Sequence, residues 1–338
     1  MVSSEVGVGI AGMGAVVPEV VVTNHDLERR METSDAWIRE KIGIVERRWA
    51  RDDQAMTDLA IPAARQAVEQ AGIDAREIEL ILVAGSNHDY LMPATACLVQ
   101  AALGADNAGA MDIKNACSGF VYALGAGAAF VQNRTADTVL VIGAEIHSKI
   151  IDQTDRTMAP FFGDGAGAVV LRRTRPGTGV LSSFFGADGY NADAIIVPAG
   201  GSRRPVDSDA LAENAHLCHM DGKRVKTFIQ RVFPHAIEQA CRRAGYELTD
   251  LDFVISHQAN LHLIREGMEK MGLPMSKTLT MLEWLGNSGA ASVPTVLKEA
   301  VDRGRIRPGD LVATAGYGAG LAYGANLIRW TGPDDFLP

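Results

Sequence analysis

Two pairs of segments in this chain repeat one another at a single spacing. AGIDAREIELILVAGSN from Ala71 aligns with AGYELTDLDFVISHQAN from Ala244, and the shift from 71 to 244 is 173 residues. DTVLVIG from Asp137 and DLVATAG from Asp310 are related by the same shift, 137 to 310. Two separated blocks with one offset indicate a duplicated unit of about 170 residues, and a repeat constrains architecture more strongly than any local pattern. Within the first unit, residues 6–11 read as a strand. Apolar positions recur at helical spacing from Asp58 to Ala71, with Gly72 as the stop. Ile78–Gly85 reads as a buried strand, Thr95–Leu103 as a second helix, Asp137–Gly143 as another buried strand, and GDGAGAVVL at 163–171 as a glycine turn entering a strand. Buried strands alternating with helices predict α/β architecture, with sheets covered on both faces. The halves are assigned to residues 1–174 and 175–338, and the seam between them is the natural place for a site.

Composition narrows the function classes. With 47% hydrophobic and 22% charged residues the chain has the make-up of a soluble globular protein, and its net charge of −9 argues against bulk nucleic-acid binding. The N-terminal residues carry Glu5 and no basic region, which makes a poor signal peptide. Four unevenly spaced cysteines suit a reducing, cytoplasmic setting. Basic residues cluster at Arg39, Lys41, Arg47, Arg48 and Arg51, and again at Lys223, Arg224, Lys226 and Arg231, where phosphate could be held. GVGIAG (Gly7–Gly12) matches the dinucleotide fingerprint, but Pro18 falls where the phosphate-binding helix should run.

The chemistry concentrates around MDIKNACSGFVYALGAGAAFVQ, Met111 to Gln132. Met111 and Ile113 end a strand, and an uncharged run from Ser118 to Val131 predicts a helix buried on every face. That run is too short and too rich in glycine for a membrane span. Cys117 stands at its start, where the helix dipole and free N–H groups are expected to lower a thiol's pKa and to receive an oxyanion. The repeat brings two further groups into register. His257 follows the strand LDFVIS, and shifting Lys114 by 173 lands on Asn287 in LGNSGAAS. A thiol, an imidazole and a carboxamide make a coherent acyl-transfer set. Cys97, Cys218 and Cys241 read as structural, and His25, His88, His147 and His235 as surface or capping residues. Glu145 and Asp164 flank glycine turns, where carboxylates satisfy backbone N–H groups. HLCHMD (His216–Asp221) lacks a partner cluster with zinc spacing, so no metal site is assigned.

These residues carry a resemblance. TSDAWI (Thr33–Ile38), ACSGF (Ala116–Phe120), TDR (Thr154–Arg156), FGDGAGAVVL (Phe162–Leu171), SHQANL (Ser256–Leu261) and GNSGAASVP (Gly286–Pro294) are similar to the ketosynthase III branch of the thiolase-fold enzymes, over nearly the whole chain. The resemblance implies a thiolase-like fold with layered α-β-α-β-α architecture. It implies a homodimer that works on acyl-CoA and acyl-carrier protein without a cofactor, the CoA thioester being substrate. It implies that Cys117 is acylated, and that His257 and Asn287 assist decarboxylation of malonyl-carrier protein, whose carbanion attacks the acyl-enzyme. The oxyanion hole falls to the backbone N–H groups of Cys117 and Ala319. Trp37, Lys41 and Arg156 match CoA-binding positions, with Arg39 nearby. Met92 and Tyr317 match acyl-tunnel positions, Met92 on the loop Leu91–Pro93 that reaches a second subunit.

The chain departs from the family pattern at Lys41 and His262, where arginine is usual, and at Met92, Lys226 and the loop GAGLAYG (Gly318–Gly324). Lysine cannot bind phosphate bidentately as arginine does. Two other functions stay open on the residues alone: transfer of the acyl group from Cys117 to a non-malonyl acceptor in secondary metabolism, and a non-catalytic subunit. An intact Cys/His/Asn set argues against the latter.

Overall fold

The structure, a computed structural model, describes residues 6–338. Nine strands form one sheet: β1 (Gly7–Val16), β2 (Leu80–Gly85), β3 (Gly109–Lys114), β4 (Thr138–Ile146), β5 (Asp164–Thr174), β6 (Gly179–Ala187), β7 (Phe253–Ser256), β8 (Leu311–Gly318) and β9 (Ala322–Arg329). Six helices cover it: α1 (Met56–Ala71), α2 (Thr95–Leu103), α3 (Gly119–Gln132), α4 (Gly222–Ala244), α5 (Leu261–Lys270) and α6 (Ser292–Asp302). The 173-residue shift runs through the observed elements: β2 and β7 begin at 80 and 253, β4 and β8 at 138 and 311, and α3 and α6 at 119 and 292. α1 and α4 both end against a left-handed glycine, Gly72 and Gly245, the residue that tolerates this conformation without a Cβ penalty.

The strand order is β7-β8-β9-β6-β1-β5-β4-β2-β3. Each half supplies a block, and the blocks join where β1 meets β6 in parallel at Val8 and Gly179. Three apolar clusters separate the helices into layers. α1 and α2 pack through Leu59, Ala63 and Val99 onto Leu140 and Ile142 of β4. α4 and α5 pack through Phe228, Val232 and Ile264 onto Val254, Leu311 and Ala313. Between the blocks lie α3 and α6, whose Phe120, Leu124, Val293 and Leu297 meet Val139 and Val141 on one side and Ile255 and Val312 on the other. Successive strand residues point to opposite faces, so β4 feeds the outer cluster with Leu140 and Ile142 and the central one with Val139 and Val141. The result is the α-β-α-β-α layering, and it explains why α3 carries no charge. Among the described residues no helix is long and apolar enough to cross a membrane.

The halves approach closely in the middle, over a glycine on each strand. A Cβ on Gly143 of β4 would lie 2.3 Å from the Ala290 carbonyl oxygen, and one on Gly316 of β8 would lie 3.3 Å from that of Cys117. Residues 143 and 316, like 117 and 290, are 173 apart, so one contact is made twice, each half's turn resting on the other half's strand.

The fingerprint GVGIAG is not a phosphate loop. It lies inside β1, a strand that runs on to Val16, and its glycines serve close packing, Gly12 and the following Gly14 against α1 and Gly7 and Gly9 against Thr174, Thr178 and Thr331. A Cβ on Gly12 would lie 2.2 Å from the Ala67 carbonyl oxygen, and one on Gly14 would lie 2.0 Å from that of Ala63. Both obstacles are helix backbone, which cannot rotate away. Gly14→Ala should therefore lower stability by about 1–3 kcal/mol, the usual cost of overpacking, read as a reduced urea midpoint at unchanged slope.

Candidate active site

β3 ends at Lys114, paired in register with Gly85 at the end of β2. The chain then turns through Ala116, whose φ of 43° is in the left-handed region, into a 3-10 turn at Ala116–Ser118 that feeds α3. This corner places Cys117 at the head of the central helix, 8% exposed. No side chain among the described residues caps the turn or the helix start, so their first N–H groups stay available to an incoming carbonyl. The end of β8 closes over the thiol: a Cβ on Gly318 would lie 3.2 Å from Sγ. Ala319 follows and lines the same cavity.

His257 follows β7, its backbone N–H donating to the Ala315 carbonyl at 2.8 Å. Its Nδ1 is 2.7 Å from Ser292 Oγ, which lies 2.8 Å from the Gly289 carbonyl and 3.4 Å from the Gln258 N–H. The Ser292 hydroxyl has one proton. Donated to Gly289, it leaves Ser292 accepting Nδ1–H, so that Nε2 carries a lone pair. Donated to Nδ1, it makes Nε2 the N–H. Asn287 stands in the matching turn of the second half. Its Oδ1 accepts the Gly289 N–H at 3.0 Å, which orients the amide and leaves Nδ2 as its remaining donor. Tyr317 is buried, donates to the His257 carbonyl at 3.1 Å and packs edge-on against the imidazole.

Cys117, His257, Asn287, Tyr317 and Ala319 line one cavity of about 1550 Å³. Its charges run against the sequence-based expectation. Burial pushes the Cys117 thiol well above its ordinary range, and the Glu145 carboxylate adds to this. Desolvation by the surrounding protein outweighs the helix-end effect. Burial likewise holds His257 down to about 3, with the nearby His147 contributing. The site thus pairs a neutral thiol with a neutral imidazole.

At the mouth, Lys41, Lys226, Asn260 and His262 line the same cavity. Lys41 Nζ is 2.6 Å from Glu40, and His262 Nε2 is 2.7 Å from the Glu40 carbonyl oxygen. Arg39 Nε donates to both carboxylate oxygens of Asp35, at 2.7 and 2.8 Å. Trp37 and Arg156 meet each other, the guanidinium 5.2 Å from the ring centroid. Met92 does not line the cavity of its own chain, whereas its neighbours Tyr90 and Leu91 do.

Four residues read from sequence as structural or surface belong to the cavity wall: His88, His147, Cys218 and, behind His147, Glu145. His147 is 5% exposed and Glu145 is fully buried. Cys218, its thiol pushed up to about 11 mainly by burial, shares the lining with Cys117, while Cys241 is buried in α4 and Cys97 is exposed. Asp164 does what the glycine turn predicts, accepting from the backbone of Ala50 and Ser148. Glu145 instead accepts the Ser86 hydroxyl at 2.6 Å.

Comparison with known proteins places this geometry in a family. Residues 111–189 match the family model for 3-oxoacyl-(acyl-carrier-protein, ACP) synthase III, and residues 241–330 match that for its C-terminal part. The chain is 44% identical over 323 residues to the beta-ketoacyl-(acyl-carrier-protein) synthase III of Symbiobacterium thermophilum, covering 96% of this chain and 98% of that one. The crystal structure of the corresponding synthase III from Thermus thermophilus superimposes with a TM-score of 0.89 at 39% identity, covering 96% of this chain and 99% of that one. The priming beta-ketosynthase of a polyketide pathway gives a TM-score of 0.89 at 30% identity, covering 98% of this chain and 99% of that one. With matches of this identity and extent on a shared fold, the chain belongs to the 3-oxoacyl-(acyl-carrier-protein) synthase III family.

Proposed function

We propose that this chain is an acyltransferase that starts fatty-acid or polyketide chains by decarboxylative condensation of an acyl-CoA primer with malonyl-acyl-carrier protein. The observation that carries the reading is the meeting of Cys117, His257 and Asn287 in one cavity at the seam of the two halves. Cys117 Sγ attacks the primer thioester. The new S–C bond forms as the bond to the CoA sulfur breaks, and the proton of Cys117 leaves with CoA as its thiol. The N–H groups of Cys117 and Ala319 receive the carbonyl oxygen in passing. Malonyl-carrier protein then loses CO₂. The electron pair left behind gathers on its thioester oxygen, where Nε2–H of His257 and Nδ2 of Asn287 donate to it. Carbon–carbon bond formation with the acyl group expels Cys117 as its thiolate, which takes a proton from solvent to restore the thiol. With the Ser292 proton donated to Nδ1, Nε2 of His257 carries the N–H that the second stage needs.

No cofactor enters this scheme, CoA being carried by the substrate. Trp37 and Arg156 form an aromatic and cationic pair able to open around a planar base, and Lys41 and Lys226 supply positive charge at the mouth. The enzyme is read as cytoplasmic. It is also read as a homodimer, because Tyr90, Leu91 and Met92 are 62%, 86% and 83% exposed. A contiguous apolar loop of this kind suits burial against a second copy, which would carry Met92 to the partner's cavity.

Three expectations follow. Cys117→Ser should abolish self-acylation by acyl-CoA, whereas His257→Ala and Asn287→Ala should still acylate but lose CO₂ release by about 10²–10³, the cost of removing one donor to an oxyanion. Intact mass and CO₂ release followed together decide this. Full labelling of Cys117→Ser would refute the nucleophile, and an Asn287→Ala variant that turns over normally would favour transfer to a non-malonyl acceptor.

The depressed pKa of His257, about 3, keeps that ring neutral from mildly acidic to basic pH. The condensation rate should then show no acid limb near 6.5, the ordinary histidine value. A limb there in the wild type, lost on mutating His257, would mean that the ring titrates.

Light scattering at micromolar concentration should find a dimer, and Met92→Ala should alter acyl preference. A monodisperse monomer would refute the assembly.

A further inference from the structure

Behind the thiol, the cavity wall is polar where a hydrocarbon primer would need it apolar. The ends of three adjacent strands build it. Ser86 and His88 follow β2, Asn115 follows β3, and Glu145 and His147 lie at and just beyond the end of β4. Ser86, His88, Asn115 and His147 line the same cavity as Cys117. Glu145 Oε2 accepts from Ser86 and lies 3.7 Å from His147 Nε2, within ion-pair range but beyond a hydrogen bond. Among the described residues, Glu145 Oε1, His147 Nδ1 and His88 Nε2 have no hydrogen-bond partner, while His88 Nδ1 lies 3.2 Å from an Asp112 carboxylate oxygen. A buried polar atom left unpaired costs about 1–3 kcal/mol, so a wall with several is built for something that pairs with them.

The pair sits close to the reacting groups. Gly289 alone separates it from them: a Cβ there would lie 2.4 Å from both Glu145 Cγ and His147 Cε1. The same residue's N–H is held by Asn287, and its carbonyl accepts from Ser292, the partner of His257. A ligand group reaching His147 is therefore only a few atoms from the acyl thioester. The Glu145, Asp89 and Asp112 carboxylates in and behind this wall disfavour an anionic chain end. A hydroxyl, donor and acceptor at once, pairs with an imidazole in either tautomer.

We propose that the acyl chamber beside Cys117 selects a short primer bearing a hydroxyl on one of its first carbons, held by the buried Glu145–His147 pair. This rests on acylation of Cys117 and names the substrate class for that step. His147 acts here as a specificity-determining residue.

The test compares 3-hydroxybutyryl-CoA with butyryl-CoA, equal in carbon count, by the initial rate at which each labels the protein, followed as intact mass. Labelling is mapped to Cys117 by peptide analysis. The wild type should label about tenfold faster with the hydroxylated primer, the value of one well-made hydrogen bond. His147→Leu should reverse the order, and His147→Gln, which keeps a hydrogen-bonding side chain, should preserve it. Equal melting temperatures of the variants show that packing is intact, and His147→Gln keeps the test decisive should leucine unfold the site. Butyryl labelling as fast as hydroxybutyryl in the wild type, an unchanged ratio in folded His147→Leu, or loss of the preference in His147→Gln overturns the subsite while leaving Cys117 as nucleophile. Failure of either primer to label Cys117 overturns both readings.

Discussion

The molecule depends on a close backbone contact made over glycine. Gly143 of the first half lies under the turn that holds Ala290, and Gly316 of the second lies under the turn that holds Cys117. These two contacts fix how far apart the blocks of the sheet stand. They also fix where the central helices begin. Everything the site needs follows from that spacing: the thiol at the head of α3, the carboxamide in the opposite turn, and the imidazole at the end of β7. Apolar burial in the central layer holds the blocks together, each fully buried Val or Leu contributing about 1.5–3 kcal/mol. Glycine determines the separation at which that burial is achieved.

Such closeness buries the reacting groups, and burial sets the electrostatics. A thiol with a raised pKa and an imidazole with a lowered one are both uncharged at rest. Charge in this cavity arises during reaction, at atoms that already face N–H groups. Donors in a buried site are worth more than the same donors in water, and they need no reorganisation when charge develops. Ser292 complements this arrangement. It holds His257 without committing the ring to one tautomer, because its single proton has two acceptors within reach.

How much of this was legible in the sequence differs by the range of the cause. The duplication was visible because a helix stop and a buried strand are local patterns, and Gly72 and Gly245 announce themselves beside their strands. Cys117, His257 and Asn287 stand in short motifs next to element ends, so the repeat and the family likeness located them. Glu145, His147 and Cys218 were read as ordinary residues because no local signal marks them. They matter through what β2, β4 and Gly289 bring beside them. The thiol's pKa was misjudged for the same reason: a helix end is local, whereas desolvation is a property of the whole fold. Gly7, Gly9 and Gly12 mimicked a nucleotide fingerprint because close packing within a fold and close approach to a phosphate both require glycine.

The shift that relates the halves carries Cys117 onto Ala290. The backbone thus offers two equivalent sockets at the heads of two equivalent helices, and only one is armed. In a scaffold with near two-fold symmetry, that inequality is what gives the proposed reaction a direction. One half keeps the growing chain and the other presents the donors that act on the extender, so the two stages cannot exchange places. It also sets the valency. However alike the halves are in shape, the proposed reaction loads one acyl group per chain at a time.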